Sequence, residues 1–370
     1  MGSGNLSGGI PVPNPDSIEE FKVQTGQYDA SYGRNAGANV DVVTKSGTNQ
    51  FHGDVWEFFR NTALNANDYF LKQSHQPRGV LNENQFGGTL GGPILKDKLF
   101  FFVSYQGTRE KDGLDVSGGC LSGGTLPTML TNNVSDRSAA ALESTFGVTT
   151  IDPTALAVLN AQLPNGQFAI PAPQGANGSA TFSTPCPYTD DQFVSNLDFY
   201  HTRKSHFSSK FFFMDSNQTI AFPPNNIGIT IVTVPGFPQT ISYGFRDFSL
   251  THTYTISDHM VNQAILGYHR TSGILNQTYP KTSFANGAGC AGTGPITLAS
   301  VCVPAPSFDN LTPQILVLGA FNLGGNGQGC RYFKISIISV ILLPTFVGNI
   351  LSVSEVELTA ARSMSQISIS

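Results

Sequence analysis

The sequence predicts an all-β chain whose long antiparallel strands form part of a transmembrane barrel, and three observations carry that prediction. Charged residues make up only 12 % of 370 positions, about half of the roughly one quarter usual in soluble domains. Period-two stretches recur along the chain, most of them as long as the roughly 9–11 tilted residues that cross a bilayer. The connections between these stretches alternate between long and short.

The stretches are, in order, Phe51 to Arg60, Asn84 to Gly92, Lys98 to Thr108, Asp191 to Thr202, His206 to Ser216, Ser242 to Ile256 and His259 to Thr271. Long connections cover 61–83, 109–190, 217–241 and 272–330, whereas Pro93 to Asp97, Arg203 to Ser205 and Ser257 to Asp258 are short. Long loops at one end and tight turns at the other mark an outer-membrane barrel, and a soluble sandwich rarely keeps that parity. In the third stretch Leu99, Phe101, Val103 and Tyr105 share a face opposite Phe100, Phe102, Ser104, Gln106 and Thr108. In the fifth, Phe207, Phe211 and Phe213 oppose His206, Ser208 and Lys210. One face therefore suits lipid and the other water. Trp56, Tyr105, Tyr200 and Tyr254 fit interfacial girdles, with ordinary sheet packing as the equal alternative. The seventh stretch is ambiguous, its apolar residues Val261 and Ile265 lying on one face and Met260, Ala264 and Leu266 on the other. Seven strands do not close a barrel, which needs an even number and about 22 for a plugged lumen. The chain is therefore expected to be incomplete, or to be something other than a barrel.

Composition narrows the function. Gly (39) and Phe (27) are abundant, and Asn, Gln, Ser and Thr fill the polar positions, which argues against a disordered acidic chain, a coiled coil and a charge-rich cytosolic enzyme. A net charge of -5 without a basic cluster leaves no footprint for nucleic acid. The start, Met1 to Leu6, shows neither the basic nor the apolar region of a signal peptide, so either the protein is cytosolic or this is not its true start.

Five cysteines, Cys120, Cys186, Cys290, Cys302 and Cys330, are an odd number without a C-x-x-C pair or a histidine at ligand spacing, so no zinc site is expected. The first four lie in stretches rich in Gly, Pro, Ser and Thr, the setting of disulfides in exported proteins. Cys290 and Cys302 enclose a short loop, Cys120 and Cys186 bracket a longer one, and Cys330 is left over.

No H-E-x-x-H, P-loop or G-x-S-x-G motif is present, so no catalytic residue, cofactor or metal is expected. GGTLGG and LGGNGQG open no periodic helix and read as turns or close-packing sites. His201 and His206 flank a turn that can bind metal or simply be solvated, the latter being the stronger reading. Asp190-Asp191 and Glu19-Glu20 read as exposed pairs. From Cys330 the character changes, with an apolar run from Ile335 to Leu351 interrupted by Pro344. This suggests a shifted reading frame; the competing reading is a C-terminal helix at the short limit for a membrane span.

The segment PDSIEEFKVQTGQYDASYGRNAGANVDVVTKSGTNQFHGD, from Pro15 to Asp54, resembles the end of the plug domain and the first barrel strand of TonB-dependent outer-membrane receptors. Within that family it is most similar to the branch that carries an amino-terminal carboxypeptidase-regulatory-like domain. The resemblance continues through WEFFRNTALNANDYF and NQFGGTLGGPILKDKLFFFVSYQGTR, then more loosely to about residue 271. It implies the end of a plug over 1–48, the first barrel strands and extracellular loops over 49–329, and a divergent tail over 330–370.

Val40, Val42 and Val43 read as a plug strand, and Lys45 to Asn49 as the polar crossing into the barrel. Gly33 and Gly37 flank a turn where plug backbone approaches the wall, while Gly87, Gly88, Gly91 and Gly92 leave a groove for the plug. A carboxylate facing lipid is costly, so Glu57 is expected on the lumen side. There Arg34 or Lys45 is expected to pair with Glu57 or Glu83, the alternative being that Arg34 is solvated. The resemblance implies an outer-membrane location, contact with membrane lipid, a TonB complex in the full-length protein, and capture of an extracellular ligand by the loops, 109–190 above all. Relatives handle iron chelates, cobalamin, saccharides or peptides. This chain alone is expected to be inactive. A surface adhesin or structural membrane protein, and a nonfunctional gene remnant, are the other readings.

Overall fold

The computed structural model describes residues 11–25, 39–67, 69, 72, 78–113, 119–126, 137–151, 156, 159–160, 168, 170–172, 178–223, 232–277, 315–317, 321–323, 331–346 and 360–362. Its strands are β1 (Ile18–Gln24), β2 (Asn39–Thr44), β3 (Val55–Arg60), β4 (Leu81–Leu95), β5 (Leu99–Asp112), β6 (Leu121–Thr125), β7 (Ser179–Ser183) and β8 (Cys186–Thr202). They continue with β9 (Ser205–Ile220), β10 (Val232–Thr233), β11 (Gln239–Ser257), β12 (Met260–Gln277), β13 (Ile315–Val317), β14 (Phe321–Leu323), β15 (Arg331–Phe346) and β16 (Ala360–Arg362). Nine of them make one antiparallel meander in the order β16-β15-β12-β11-β9-β8-β5-β4-β3, whose two edges are unpaired among the described residues.

All seven expected stretches are strands of this sheet. Most run longer than their alternation because the ends beside the long loops carry polar residues on both faces and lose the period-two signal. Hydrogen-bonded pairing continues there all the same, as in Leu81↔Asp112 and Asp112↔Cys186. The first strand is shorter than expected: among the described residues it bonds only to β4, and ahead of Val55 a single His52↔Gly91 bridge prolongs it. Each tight turn has a register shift in one strand just before it, between Pro93 and Leu95, Tyr200 and Thr202, and Thr255 and Ser257. Such bulges sharpen the local twist where the chain reverses. In the first of these turns Asp97 takes φ 64°, a conformation that aspartate tolerates better than most residues.

The expected break after residue 329 falls within this sheet. Arg331–Phe346 pairs with β12 from Leu275↔Arg331 to Met260↔Phe346. The apolar run that allowed a helix is thus strand as far as Phe346, in keeping with its Ile and Val content. Pro344 lies in the part of β15 that β16 does not reach, where an edge unpaired among the described residues accommodates a residue without an N–H.

The sheet is inside out by the standards of a soluble protein. One face buries Thr89, Ser104, Gln106, Thr108, Asp190, Gln192, Asn196 and Asp198, while Val55, Phe86, Leu90, Tyr105, Leu197 and Leu266 stand exposed on the other. Of the aromatics expected in girdles, Tyr105 and Tyr254 lie on the apolar face. Trp56, opposite Gly87, and Tyr200, stacked on His206 at 4.3 Å, lie on the polar one.

Beyond the long strands, Cys120 and Cys186 form a disulfide with Cα atoms 5.5 Å apart, packed with Phe182, Ala221 and Phe222. It staples the β6–β7 hairpin to the start of β8. In the same loop Arg137 is 6 % exposed. Its guanidinium donates to the carbonyls of Leu159 and Ile170 and lies 3.9 Å from the Phe168 ring centre, and burial lowers its pKa. Cys290, Cys302 and Cys330 lie outside the described residues.

Candidate functional site

Residues 11–25 and 39–50 form an arm on the polar face of the sheet. Asn14 begins it: its Oδ1 accepts from the Ser17 N–H at 3.0 Å, closing a 3-10 turn over Pro15–Ser17. The chain then runs into the antiparallel pair of β1 and β2, with Ile18 opposite Thr44. Lys45 N–H donates to the Ser17 carbonyl at 2.8 Å, joining the two ends of the hairpin.

Three asparagines fasten the arm to the wall. The Asn14 carboxamide exchanges hydrogen bonds with the Ser104 hydroxyl of β5 at 3.1 and 3.2 Å. Asn196 of β8 donates to Thr44 Oγ1 at 2.8 Å and to the Lys45 carbonyl at 2.7 Å. Asn49 donates to Asp97 Oδ1 at 2.6 Å and accepts from the Asp97 N–H at 2.9 Å, tying the crossing to the β4–β5 turn. Between the last two, Gly47 passes so close that a Cβ there would meet the Phe101 carbonyl and lie 2.8 Å from both the Gly92 carbonyl and Phe101 N. Only glycine fits this approach.

The seat is thus made almost entirely of uncharged hydrogen bonds, each worth about 1 kcal/mol net. Such an arrangement fixes a register without the deep well of a buried ion pair. Further along the same face, away from the tight turns, Gln192 donates to Asp190 Oδ2 at 2.9 Å. Asp190 Oδ1, Gln192 Oε1 and Asn196 Oδ1 are buried acceptors without a hydrogen-bond partner among the described residues.

The expected ionic contacts are arranged differently. Strand register puts Glu57 opposite Phe86, on the apolar face with Tyr105, so Glu57 does not line the polar side. Val55 and Glu57 do share a face, as alternation requires, but pairing with β4 turns that face outward. Glu83 is on the polar side and pairs with Arg60 of β3 at 3.2 Å, not with the arm. Lys45 contributes its backbone to the seat and makes no ion pair among the described residues. Arg34, Gly33 and Gly37 lie outside the described residues.

The four wall glycines also serve another purpose than the one expected. A Cβ at Gly87 would lie 2.6 Å from Trp56 and one at Gly91 2.7 Å from His52, one at Gly92 would meet the Phe51 ring, and Gly88 faces Val55. They receive side chains of the incoming first strand. Because Gly87 and Gly91 lie on one face and Gly88 and Gly92 on the other, they do not form a single groove for the arm.

His201 and His206 point to opposite faces, His201 toward Phe199 and His206 toward Asp198 at 3.2 Å, and no cluster of three metal-ligating side chains occurs among the described residues. Asp190 and Asp191 are likewise divided. Asp190 is 4 % exposed on the polar face, correcting the reading of an exposed pair, whereas Asp191 accepts from Tyr105 at 2.6 Å and Arg109 at 2.7 Å on the apolar one. Beside it, Arg246 pairs with Asp215 at 2.7 Å and lies 3.9 Å from the Phe213 ring centre. These charge pairs close the apolar band at the end away from the tight turns.

Comparison with known proteins bears on this geometry. A family model described as an outer membrane beta barrel domain matches residues 43–338. The TonB-dependent transporter Oar of Myxococcus xanthus is 37 % identical over 113 residues, a match covering 27 % of this chain and 10 % of that protein. The outer membrane transporter YddB of Escherichia coli aligns with a TM-score of 0.45 and 7 % identity, over 91 % of this chain and 33 % of that one. The chain therefore spans well under two thirds of either protein.

Proposed function

This chain belongs to the outer-membrane β-barrel domain family, and from that premise we propose that it serves TonB-dependent uptake of a ligand across the outer membrane. Its polar face is the lumen wall, its apolar face meets lipid, and the arm is the end of a plug domain. The observation that carries this reading is the asparagine-based seat of the arm on the wall, uncharged except for the Asn49 bond to the Asp97 carboxylate. A plug must stay in place at rest and leave when pulled, and a few hydrogen bonds of about 1 kcal/mol each meet both requirements. The similarity to a TonB-dependent transporter over 113 residues supports the source of the pull. The unpartnered acceptors of Asp190 and Gln192, further along the lumen face, are groups that a passing solute can engage.

Energised movement of the arm is measurable without knowing the ligand. Ser104 is 1 % exposed beneath Asn14, so Ser104→Cys in the intact protein reports release of the seat through labelling by a water-soluble maleimide, with the unsubstituted protein as background. Faster labelling in energised cells that contain TonB, abolished by an uncoupler or by loss of TonB, is expected. Labelling indifferent to both refutes the transport reading and is the outcome for a surface adhesin on the same barrel.

A further inference from the structure

We propose that the β8–β9 turn and the side chains beneath it on the apolar face form a binding site for a glycerophospholipid headgroup in the leaflet at the tight-turn edge of the barrel. This inference rests on the membrane placement of the family and not on TonB-driven transport, so either can fail without the other.

The turn itself is Arg203-Lys204, both exposed. The neighbouring tight turns differ: Lys96 and Lys98 flank Asp97, and the last carries Asp258 beside His259. The β8–β9 turn thus holds two adjacent cations, with no carboxylate among the residues that line the recess below it. That recess has a volume of about 700 Å³. On its floor Phe207 stacks on His252 at 4.1 Å with ring planes 12° apart, and His252 lies 6.2 Å from Tyr254. His201 stands 5.8 Å from Phe199, which stacks on Phe207. The Ser205 hydroxyl lies 3.0 Å from His252 Nε2, which fixes the imidazole plane.

The chemistry is layered in the order that a phospholipid presents. Two cationic groups sit at the water edge, where a phosphodiester lies, and Arg and Lys both donate to phosphate oxygens. Imidazole and phenol rings follow at the depth of the glycerol esters, where amphipathic rings are favoured. The Phe207 ring and the apolar face above it then meet the acyl chains. A soluble anion would use only the first layer. Tight turns mark the periplasmic side of such barrels, so the lipid belongs to the inner leaflet.

The test uses the full chain in dodecyl maltoside, a detergent without phosphate, with dihexanoyl-phosphatidylglycerol as the probe. Native mass spectrometry reads retention, and protection of Lys204 from an amine-reactive label reads the site. The unsubstituted chain is expected to retain the lipid and protect Lys204, and Arg203→Gln with Lys204→Gln to weaken retention about tenfold or more, as two basic groups near a headgroup imply. Lys96→Gln with Lys98→Gln is expected to change nothing. Equal retention of dihexanoylglycerol overturns the headgroup assignment in favour of apolar adsorption. Full competition by inorganic phosphate overturns it in favour of a free-anion site. Unchanged retention by the Arg203/Lys204 variant overturns the location. Should that variant fail to fold, Lys204 protection in the unsubstituted chain decides the matter alone, and its absence refutes the site.

Discussion

Replacing Asn196 by leucine tests the seat most directly. The side chain is 1 % exposed and makes two of the bonds that hold the arm's crossing, donating to Thr44 Oγ1 at 2.8 Å and the Lys45 carbonyl at 2.7 Å. Leucine keeps the volume but removes both bonds, a loss of about 2 kcal/mol at about 1 kcal/mol each. It also removes the unpartnered Asn196 Oδ1, which returns part of that cost. The net destabilisation of the docked crossing is therefore about 1–2 kcal/mol, or roughly a 5- to 30-fold rise in its opening constant. The reporter is hydrogen exchange at the Asp97 amide, which donates to Asn49 Oδ1 at 2.9 Å across the seat and is freed when the crossing lifts. Its exchange is expected to accelerate by that factor, while amides in the β9–β11 ladder, such as Phe211 and Phe248, keep their rates. Unchanged exchange at Asp97 would show that Asn196 does not hold the arm. Equal acceleration throughout the ladder would show that it acts on the whole sheet.

Three further outcomes follow from the same geometry. Cys120→Ser with Cys186→Ser opens a cross-link with a sequence separation of 66, worth up to about 4 kcal/mol in the chain-entropy model. Proteolysis within residues 113–185 is expected to speed up while the β-sheet circular dichroism signal persists. Gly47→Val drives a side chain into the Phe101 and Gly92 carbonyls; it is expected to lift the arm at a cost of about 2 kcal/mol or more, seen as faster labelling of Ser104→Cys, and slow labelling would contradict the close approach. Glu57→Leu, on the lipid face, is expected to stabilise the chain in vesicles by about 1 kcal/mol against urea, whereas a loss of stability would return Glu57 to the lumen.

Much of the wall was legible because its signals are local. Leu99, Phe101, Val103 and Tyr105 alternate with Phe102, Ser104, Gln106 and Thr108, and both the strand and the division of its faces follow from that alternation. The turns at Asp97, Arg203 and Asp258 stand out as polar breaks between long stretches. The span from Ile335 left a helix open as the competing reading for a complementary reason: a continuous apolar run has no period, and helix and strand share it until a partner such as β12 is seen. The anchoring roles had little signal. Asn14 and Asn196 are uncharged and lie in no motif, Asn49 is marked only as the end of the polar crossing, and a carboxamide becomes an anchor only through what stands opposite it.

Alternation along a strand is a property of the backbone, and so the sequence alone is enough to establish strands, faces and tight turns, and to place Val55 and Glu57 on the same side. Which side that is depends on pairing with β4, and what covers the other side depends on contacts such as Asn196 with Thr44, separated by 152 positions. Those relations exist only once the chain has closed on itself. For that reason the sheet's membrane character was written in its residues, while the seat of the arm, the outward turn of Glu57 and the layered recess under Arg203 and Lys204 were decided by the tertiary structure.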